Sequence, residues 1–132
     1  MPVDLSIVTP SRPLLEVAAE SVLLPGQAGE FGVLPEHERF LSLLAPGVLE
    51  YEEAGALHRV AVASGFAEVT GDRVTVLVRV AERAEDIDRE DARAALVRAE
   101  EALRDIGEGA PERRAEHQAE ADHARARLKA SE

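Results

Sequence analysis

The sequence predicts a two-part α+β fold: an N-terminal all-β sandwich of roughly eight or more short strands, followed by a C-terminal antiparallel hairpin of two helices. Over residues 1–86, short apolar runs alternate with turns that contain glycine or proline. From about Ala81 onward, alanine, glutamate and arginine replace the β-branched residues. Glycines at 107 and 109 and a proline at 111 then interrupt the helical pattern once. We therefore expect a sandwich domain over 1–86 and a helical domain over 87–132.

The strand predictions start from Val3, Leu5 and Ile7, which alternate with polar residues as in a strand with one buried face. The stretch 23–41 contains three glycines and two prolines, so we expect an extended hairpin-like element with a charged loop over residues 36–39. The other predicted strands are apolar runs bounded by turn residues. They lie at 14–19, 21–24, 40–44, 48–51, 57–62, 64–69 and 74–80.

The helix predictions rest on capping residues and on apolar spacing. Asp88 is expected to be the N-cap of a first helix of about five turns, with Asp91 near its positive end. One apolar stripe runs along this helix through Ala92, Leu96, Ala99, Leu103 and Ile106.

Pro111 should begin a second helix that ends at about Ala130. Its only large apolar residue is Leu128, and its stripe consists mainly of alanines such as Ala121 and Ala124. Because alanine contributes much less than the roughly 1.5–3 kcal/mol of a buried leucine, this helix should dock weakly and be able to detach.

Composition excludes several kinds of partner and site. The net charge is −11 with a single lysine, which argues against nucleic acid and against direct contact with anionic lipid. The chain has no cysteine, so disulfides, thiolate metal sites and thiol nucleophiles are excluded. It has neither a signal peptide nor an apolar run of about 18 residues, and we expect a soluble protein of the cytoplasmic type.

No motif in the chain points to catalysis. His37 lacks the partner four residues away that a helical zinc pair needs, so we predict no metal site. We expect His58 on an exposed strand face, and His117 and His123 in solvent. Ser64-Gly65 lacks the flanking glycines of a nucleophile elbow, and there is no phosphate-binding glycine loop. The chain is therefore predicted not to be an enzyme.

Four segments together resemble one protein family. They are residues 25–35 (PGQAGEFGVLP), 64–69 (SGFAEV), 74–77 (VTVL) and 81–88 (AERAEDID). Their sequences and order are similar to those of the epsilon subunit of bacterial F-type ATP synthases. This resemblance implies a sandwich of about ten strands and a non-catalytic rotor subunit of the central stalk. Such a subunit couples proton translocation to ATP synthesis, and its C-terminal helices inhibit ATP hydrolysis.

The resemblance also implies partners and a location. The sandwich would contact the gamma subunit and the c-ring, and the extended helices would reach the alpha/beta catalytic head. Glu30, Glu36, His37, Glu38 and Arg39 would lie at the rotor and c-ring contact. The protein would be peripheral at the cytoplasmic face of the bacterial inner membrane, associated with the membrane only through the complex.

Some members of this family bind ATP on the folded hairpin through a motif of Ile or Leu, Asp, two variable residues, Arg and Ala. Here the motif is 87–92, IDREDA, with Asp91 where arginine is expected, so an anion replaces a cation that should meet phosphate. The other positions that resemble ligands are Glu82, Ile87, Asp88, Arg98 and Arg127. Alternatively, Asp88 and Asp91 cap the helix while Glu82 and Arg98 are solvated. We favour that alternative and expect ATP to bind weakly or not at all, with no required cofactor.

A second hypothesis of a different class remains open. The chain could be a stand-alone nucleotide-responsive binding module whose helices close on a ligand. Stoichiometric co-purification with gamma and the catalytic head would distinguish the rotor subunit from this module.

Overall fold

The computed structural model describes residues 2–34 and 37–132, and the side chains of His37 and Glu38 lie outside this description. The strands are β1 Val3–Val8, β2 Pro13–Ala19, β3 Ser21–Gly26, β4 Gly29–Val33, β5 His37–Leu44, β6 Gly47–Glu53, β7 Ala56–Val62, β8 Gly65–Gly71, β9 Arg73–Val78 and β10 Ala81–Arg83. A 3₁₀ turn, Ala84–Asp86, precedes the helices α1 Arg89–Ile106 and α2 Pro111–Ala130. The predicted fold class is confirmed. No helix in the described ranges is both long and apolar enough to cross a membrane.

The strands form one continuous sheet that folds over into a sandwich. Their order is β10-β7-β6-β3-β5-β8-β9-β1-β2, and β4 pairs with β3 outside this path. β3 and β5 are joined by a single residue pair, Gly26 with Leu44, so the sheet bends there. β1 and β9 run parallel, whereas the other paired strands are antiparallel. The two halves can then face each other across an apolar core.

The core consists mainly of aliphatic side chains, as the scarcity of aromatic residues requires, and it includes the ring of Tyr51. The largest fully buried side chains include Leu5, Ile7, Leu24, Leu44 and Leu49. One aromatic pair supports the edge of this core, where the rings of Phe31 and Phe40 meet edge to face at 5.5 Å. The alternation predicted for the first strand is confirmed, because Val3, Leu5 and Ile7 are all fully buried.

Two turns illustrate how the local sequence sets the strand pairing. Ala54 and Gly55 both have positive φ (51° and 80°) in the two-residue connection of β6 to β7, as a type I′ hairpin turn requires. Gly65 begins β8, and a Cβ atom there would lie 2.1 Å from the carbonyl oxygen of Leu77 on β9. The backbones of β8 and β9 can approach this closely only because residue 65 has no side chain.

Replacing Gly65 with alanine should therefore destabilise the sandwich by about 1–3 kcal/mol, the usual cost of forcing extra volume into a packed site. Gly32→Ala is the matched control, because its nearest neighbour would be 3.9 Å away and its backbone is in an ordinary conformation. Urea unfolding followed by circular dichroism measures both variants. Equal stability of the two variants would contradict the close approach of β8 and β9.

The helices form the predicted antiparallel hairpin. Asp88 is the N-cap of α1 and accepts a hydrogen bond from the Asp91 amide at 3.1 Å. At the other end, the Arg114 side chain of α2 donates to the carbonyls of Leu103 and Gly107, which end α1. α2 packs along α1 on one side and against β6 and β7 on the other, so it lies between α1 and the sandwich.

The contact between α2 and the sandwich is small and built from short side chains. Val48 and Ala61 of the sandwich meet Ala126 and Ala130 of α2, with Ile87 packed beside them. The stripe predicted for α2 contains Ala121 and Ala124, which are also buried, but this second alanine face was not predicted. The thin contact agrees with the weak docking predicted for this helix.

Candidate functional site

The residues predicted at the rotor contact occupy separate places. Glu30 is exposed in β4, opposite Pro25, and lines a cleft that α2 closes with Arg125 and Lys129. Glu36 lies outside the described residues. His37, Glu38 and Arg39 were predicted in a loop, but their backbone begins β5, where His37 pairs with Gly71. The pairing of β5 with β8 thus begins at His37, with a shift of register between His37 and Phe40.

Glu30 and His37 are seven positions apart in the sequence. Glu30 itself lies beside the β3–β4 turn, near the hairpin. Of the five predicted contact residues, the structure describes the side chains of Glu30 and Arg39, and both are exposed. Whether they contact another subunit stays a prediction.

Two of the residues that resemble nucleotide ligands, Glu82 and Arg127, meet Asp91 around one guanidinium group. Arg127 of α2 donates from Nε to Glu82 of β10 at 2.8 Å and from Nη1 to Asp91 of α1 at 2.9 Å. Its side chain is only 11% exposed, against 28% for Glu82 and 58% for Asp91. Glu82 is therefore ion-paired, and the expectation of a merely solvated Glu82 is wrong.

Charge balance around Arg127 favours its protonated form. Burial by itself would lower the pKa of Arg127, but its hydrogen bonds and charge interactions with Glu82 and Asp91 outweigh that effect and raise the pKa. The two carboxylates thus occupy the positions around the Arg127 guanidinium that an anionic ligand would need. Asp91, the residue that departs from the ATP motif, is one of these two partners.

The remaining motif residues have structural positions around this pair. Ile87 packs into the apolar contact beneath α2, and Asp88 caps α1. Arg98 is exposed on α1, two helical turns beyond Asp91. Arg89 had no predicted role, yet its Nη1 donates to the Leu128 carbonyl at 2.9 Å and to the Ser131 hydroxyl at 2.8 Å.

His123 has surroundings that the sequence pattern did not predict. His117 and His123 were both predicted to be solvated, but both are half-buried, and the Nδ1 atom of each is buried without a hydrogen-bond partner among the described residues. His123 lies on the α2 face toward the sandwich, near Ala63 and Ser64. Burial first, and then the positive charge of Arg127, lower its pKa from 6.5, while Glu82 and the Val62 backbone act in the opposite direction. No signal in the sequence separated His123 from the exposed polar residues around it.

This shift predicts that acid weakens the docking of α2. The docked state lowers the pKa of His123, so docking is insensitive to this group above pH 6.5 and loses stability as pH falls below it toward the lowered value. Amide chemical shifts of α2, followed by NMR from about pH 7.5 to about pH 5.5, would report the undocked population. His123→Gln should reduce this response and His117→Gln should keep it. An identical response in both variants would contradict the prediction.

A second surface candidate is a row of exposed apolar side chains on the outside of the sandwich. Leu43 of β5 pairs with Phe66 of β8, which pairs with Leu77 of β9. These side chains are 60%, 39% and 36% exposed, respectively. Neighbouring strands lie about 4.8 Å apart, so the three side chains form one continuous strip, which we call the outer apolar row.

No metal centre emerges from the part of the chain that the structure describes. Within it, no group of three or more histidine, aspartate or glutamate residues has the geometry to hold a metal ion.

Tyr51 stacks on His58 with ring centroids 5.0 Å apart, so His58 is a packing residue of the β6–β7 surface.

Comparison with known proteins gives the same assignment from sequence and from structure. Residues 2–84 match a family model described as ATP synthase, Delta/Epsilon chain, beta-sandwich domain. The ATP synthase epsilon chain of Nitratidesulfovibrio vulgaris strain DP4 is 49% identical over 122 residues, which cover 92% of this chain and 83% of that relative. The epsilon chain of Syntrophobacter fumaroxidans is 45% identical over 130 residues, covering 98% and 96%.

Among solved structures, a chain of the Euglena gracilis mitochondrial ATP synthase, determined as OSCP/F1/c-ring, superposes with a TM-score of 0.81. It is 26% identical, and the match covers 98% of this chain and 81% of that chain. A chain of the Tetrahymena thermophila mitochondrial ATP synthase central stalk and c-ring has a TM-score of 0.63 at 12% identity, which supports the fold alone.

Proposed function

The chain belongs to the family of ATP synthase epsilon chains, and from this membership we propose that it is a non-catalytic rotor subunit of the central stalk. In this role it couples proton translocation to ATP synthesis and restrains ATP hydrolysis through α1 and α2. The single observation that best supports the role is the relatedness over nearly the whole chain, since 130 residues align with the Syntrophobacter fumaroxidans epsilon chain.

The gamma subunit is the proposed partner of the sandwich. The outer apolar row is the strongest docking candidate, because exposed apolar strips on a sheet mark protein interfaces more often than other surfaces do. Leu43, Phe66 and Leu77 lie on three adjacent strands and would present a flat strip to this partner.

The c-ring is the proposed partner of the surface around Glu36, His37, Glu38 and Arg39, with Glu30 at the cleft beside the hairpin. The subunit would then sit at the cytoplasmic face of the bacterial inner membrane, held there through the complex. Because its net charge is −11, electrostatic repulsion disfavours direct binding to anionic lipid.

The two helices are proposed to regulate hydrolysis by leaving the sandwich and extending into the alpha/beta head. The small alanine contact of α2 supports this, since little apolar area must be exposed on release. A chain that ends at Gly109 should assemble and support coupling normally while ATP hydrolysis by the complex changes. Unchanged hydrolysis would count against an inhibitory role for α2.

ATP is proposed to bind weakly or not at all. Arg127 is already paired with Glu82 and Asp91, and a phosphate would have to displace both carboxylates. Calorimetric titration of the full chain with ATP should therefore detect no binding at micromolar concentrations, and a micromolar dissociation constant would refute this proposal.

The rotor role is tested by co-purification with gamma and the catalytic head at physiological salt, in stoichiometric amounts. Recovery only as a free monomer with bound nucleotide would favour the alternative, a stand-alone nucleotide-responsive module. The pairing of Arg127 with protein carboxylates favours the rotor subunit over that module.

A further inference from the structure

Arg127 lies where three elements of the chain meet. Its guanidinium group joins α2, which contains it, to β10 through Glu82 and to the first turn of α1 through Asp91. The guanidinium is largely buried, and buried charges are stable only when they are paired and hydrogen-bonded. Both helices are thus tied to the edge of the sandwich through one side chain.

The two ion pairs connect different parts. Glu82 links α2 to the sandwich, whereas Asp91 links α2 to α1. Arg89 strengthens the second link, because it donates to the Leu128 carbonyl at the C-terminal end of α2. The adjoining apolar contact has only two alanines on the α2 side, Ala126 and Ala130. Polar contacts therefore make up a large share of what holds the hairpin in place.

We propose that Glu82, Asp91 and Arg127 form an ionic latch that holds the helical hairpin on the sandwich without any bound ligand. Asp91 supplies the negative charge from within the chain, and Glu82 connects the hairpin to β10. Because part of the latch is exposed to solvent, salt weakens it, so the docked population falls with ionic strength. The docked population of the hairpin then depends on ionic strength and on any anion that competes with the two carboxylates for Arg127.

The latch acts on the hairpin to which the proposed function gives a regulatory role, but it is measured on the isolated full chain. Failure of the latch and failure of the rotor role are therefore distinguishable. The absence of cysteine allows two introduced residues, Glu16→Cys in β2 and Glu112→Cys in α2, to receive unique spin labels. Both positions are exposed, so the labels should not disturb packing. Pulsed electron spin resonance then gives the distribution of distances between sandwich and hairpin.

Glu82→Gln should lower the docking equilibrium constant about 10- to 100-fold, since the carboxylate charge that pairs with the largely buried Arg127 is lost and glutamine can offer only a neutral acceptor. Asp91→Asn should lower it by a smaller factor, because Asp91 pairs with Arg127 within the hairpin and is more exposed than Glu82. Asp105→Asn is the matched control on α1, exposed and away from Arg127, and should behave as the unmodified chain.

Raising salt from about 0.05 M to about 1 M should broaden the distribution of label-to-label distances in the unmodified chain and in Asp105→Asn. The same increase should have little further effect in Glu82→Gln. Hydrogen exchange of the β1 and β9 amides checks that each variant keeps a folded sandwich. A docked distance in Glu82→Gln that matches the unmodified chain at every salt concentration would overturn the latch. A label-to-label distance in Asp91→Asn that matches the unmodified chain would show that Asp91 is not part of the latch.

Discussion

Phe66→Asp should weaken binding of the chain to the gamma subunit by about 100-fold, because a buried carboxylate would face an apolar surface at the centre of the proposed interface. Phe66 is 39% exposed and lies between Leu43 and Leu77 in the outer apolar row. Its side chain is therefore available to a partner while its backbone is fixed by strands on both sides. Surface plasmon resonance with immobilised gamma measures the change.

Two further variants make this prediction specific. Leu43→Asp lies in the same row, is 60% exposed, and should also weaken binding while barely changing stability. Val97→Asp is the control, an equally drastic change at an exposed apolar residue of α1, and should leave gamma binding unaltered. Full-strength binding by both row variants, with circular dichroism confirming their fold, would exclude the outer apolar row as the gamma interface.

Leu49→Ala should destabilise the sandwich by about 2–5 kcal/mol, the range measured for leucine truncation in well-packed cores. Leu49 is fully buried in β6, in the cluster formed by both halves of the folded sheet. Removing its isobutyl group loses apolar contact and leaves space that the surrounding strands cannot fill completely.

The neighbouring strand of the same hairpin provides the control for this change. Leu57 of β7 is 65% exposed, so Leu57→Ala should alter the free energy of unfolding by no more than about 0.5 kcal/mol. Urea titration monitored by circular dichroism compares the two variants. A similar loss of stability in both would mean that Leu49 is not part of the core.

The sequence was informative where one local rule decided the structure. The alternation of Val3, Leu5 and Ile7 predicted their burial, and Asp88 and Pro111 predicted how the two helices begin. Both kinds of signal depend on neighbouring residues alone. β10 was missed because its three residues occur where the composition already changes toward the helices, and only pairing with β7 makes it a strand.

The candidate site was predictable only in part, for a related reason. The family motif identified Glu82, Asp91 and Arg127, but their mutual pairing joins residues up to 45 positions apart and depends on how α2 docks. The half-buried position of His123 has the same origin. Long-range contacts between polar residues follow no periodic pattern in the sequence. Neither the ion pairs of Arg127 nor the burial of His123 could therefore be inferred from residue spacing.

The alanine face of α2 has a consequence for the chain once the hairpin leaves the sandwich. The released surface consists of methyl groups on the helix and, on the sandwich, of little more than Val48 and Ala61. Such a surface falls well below the apolar patch that promotes aggregation. If the hairpin leaves the sandwich as proposed, it would therefore expose little apolar surface, whereas a leucine-rich contact of the same size would expose more.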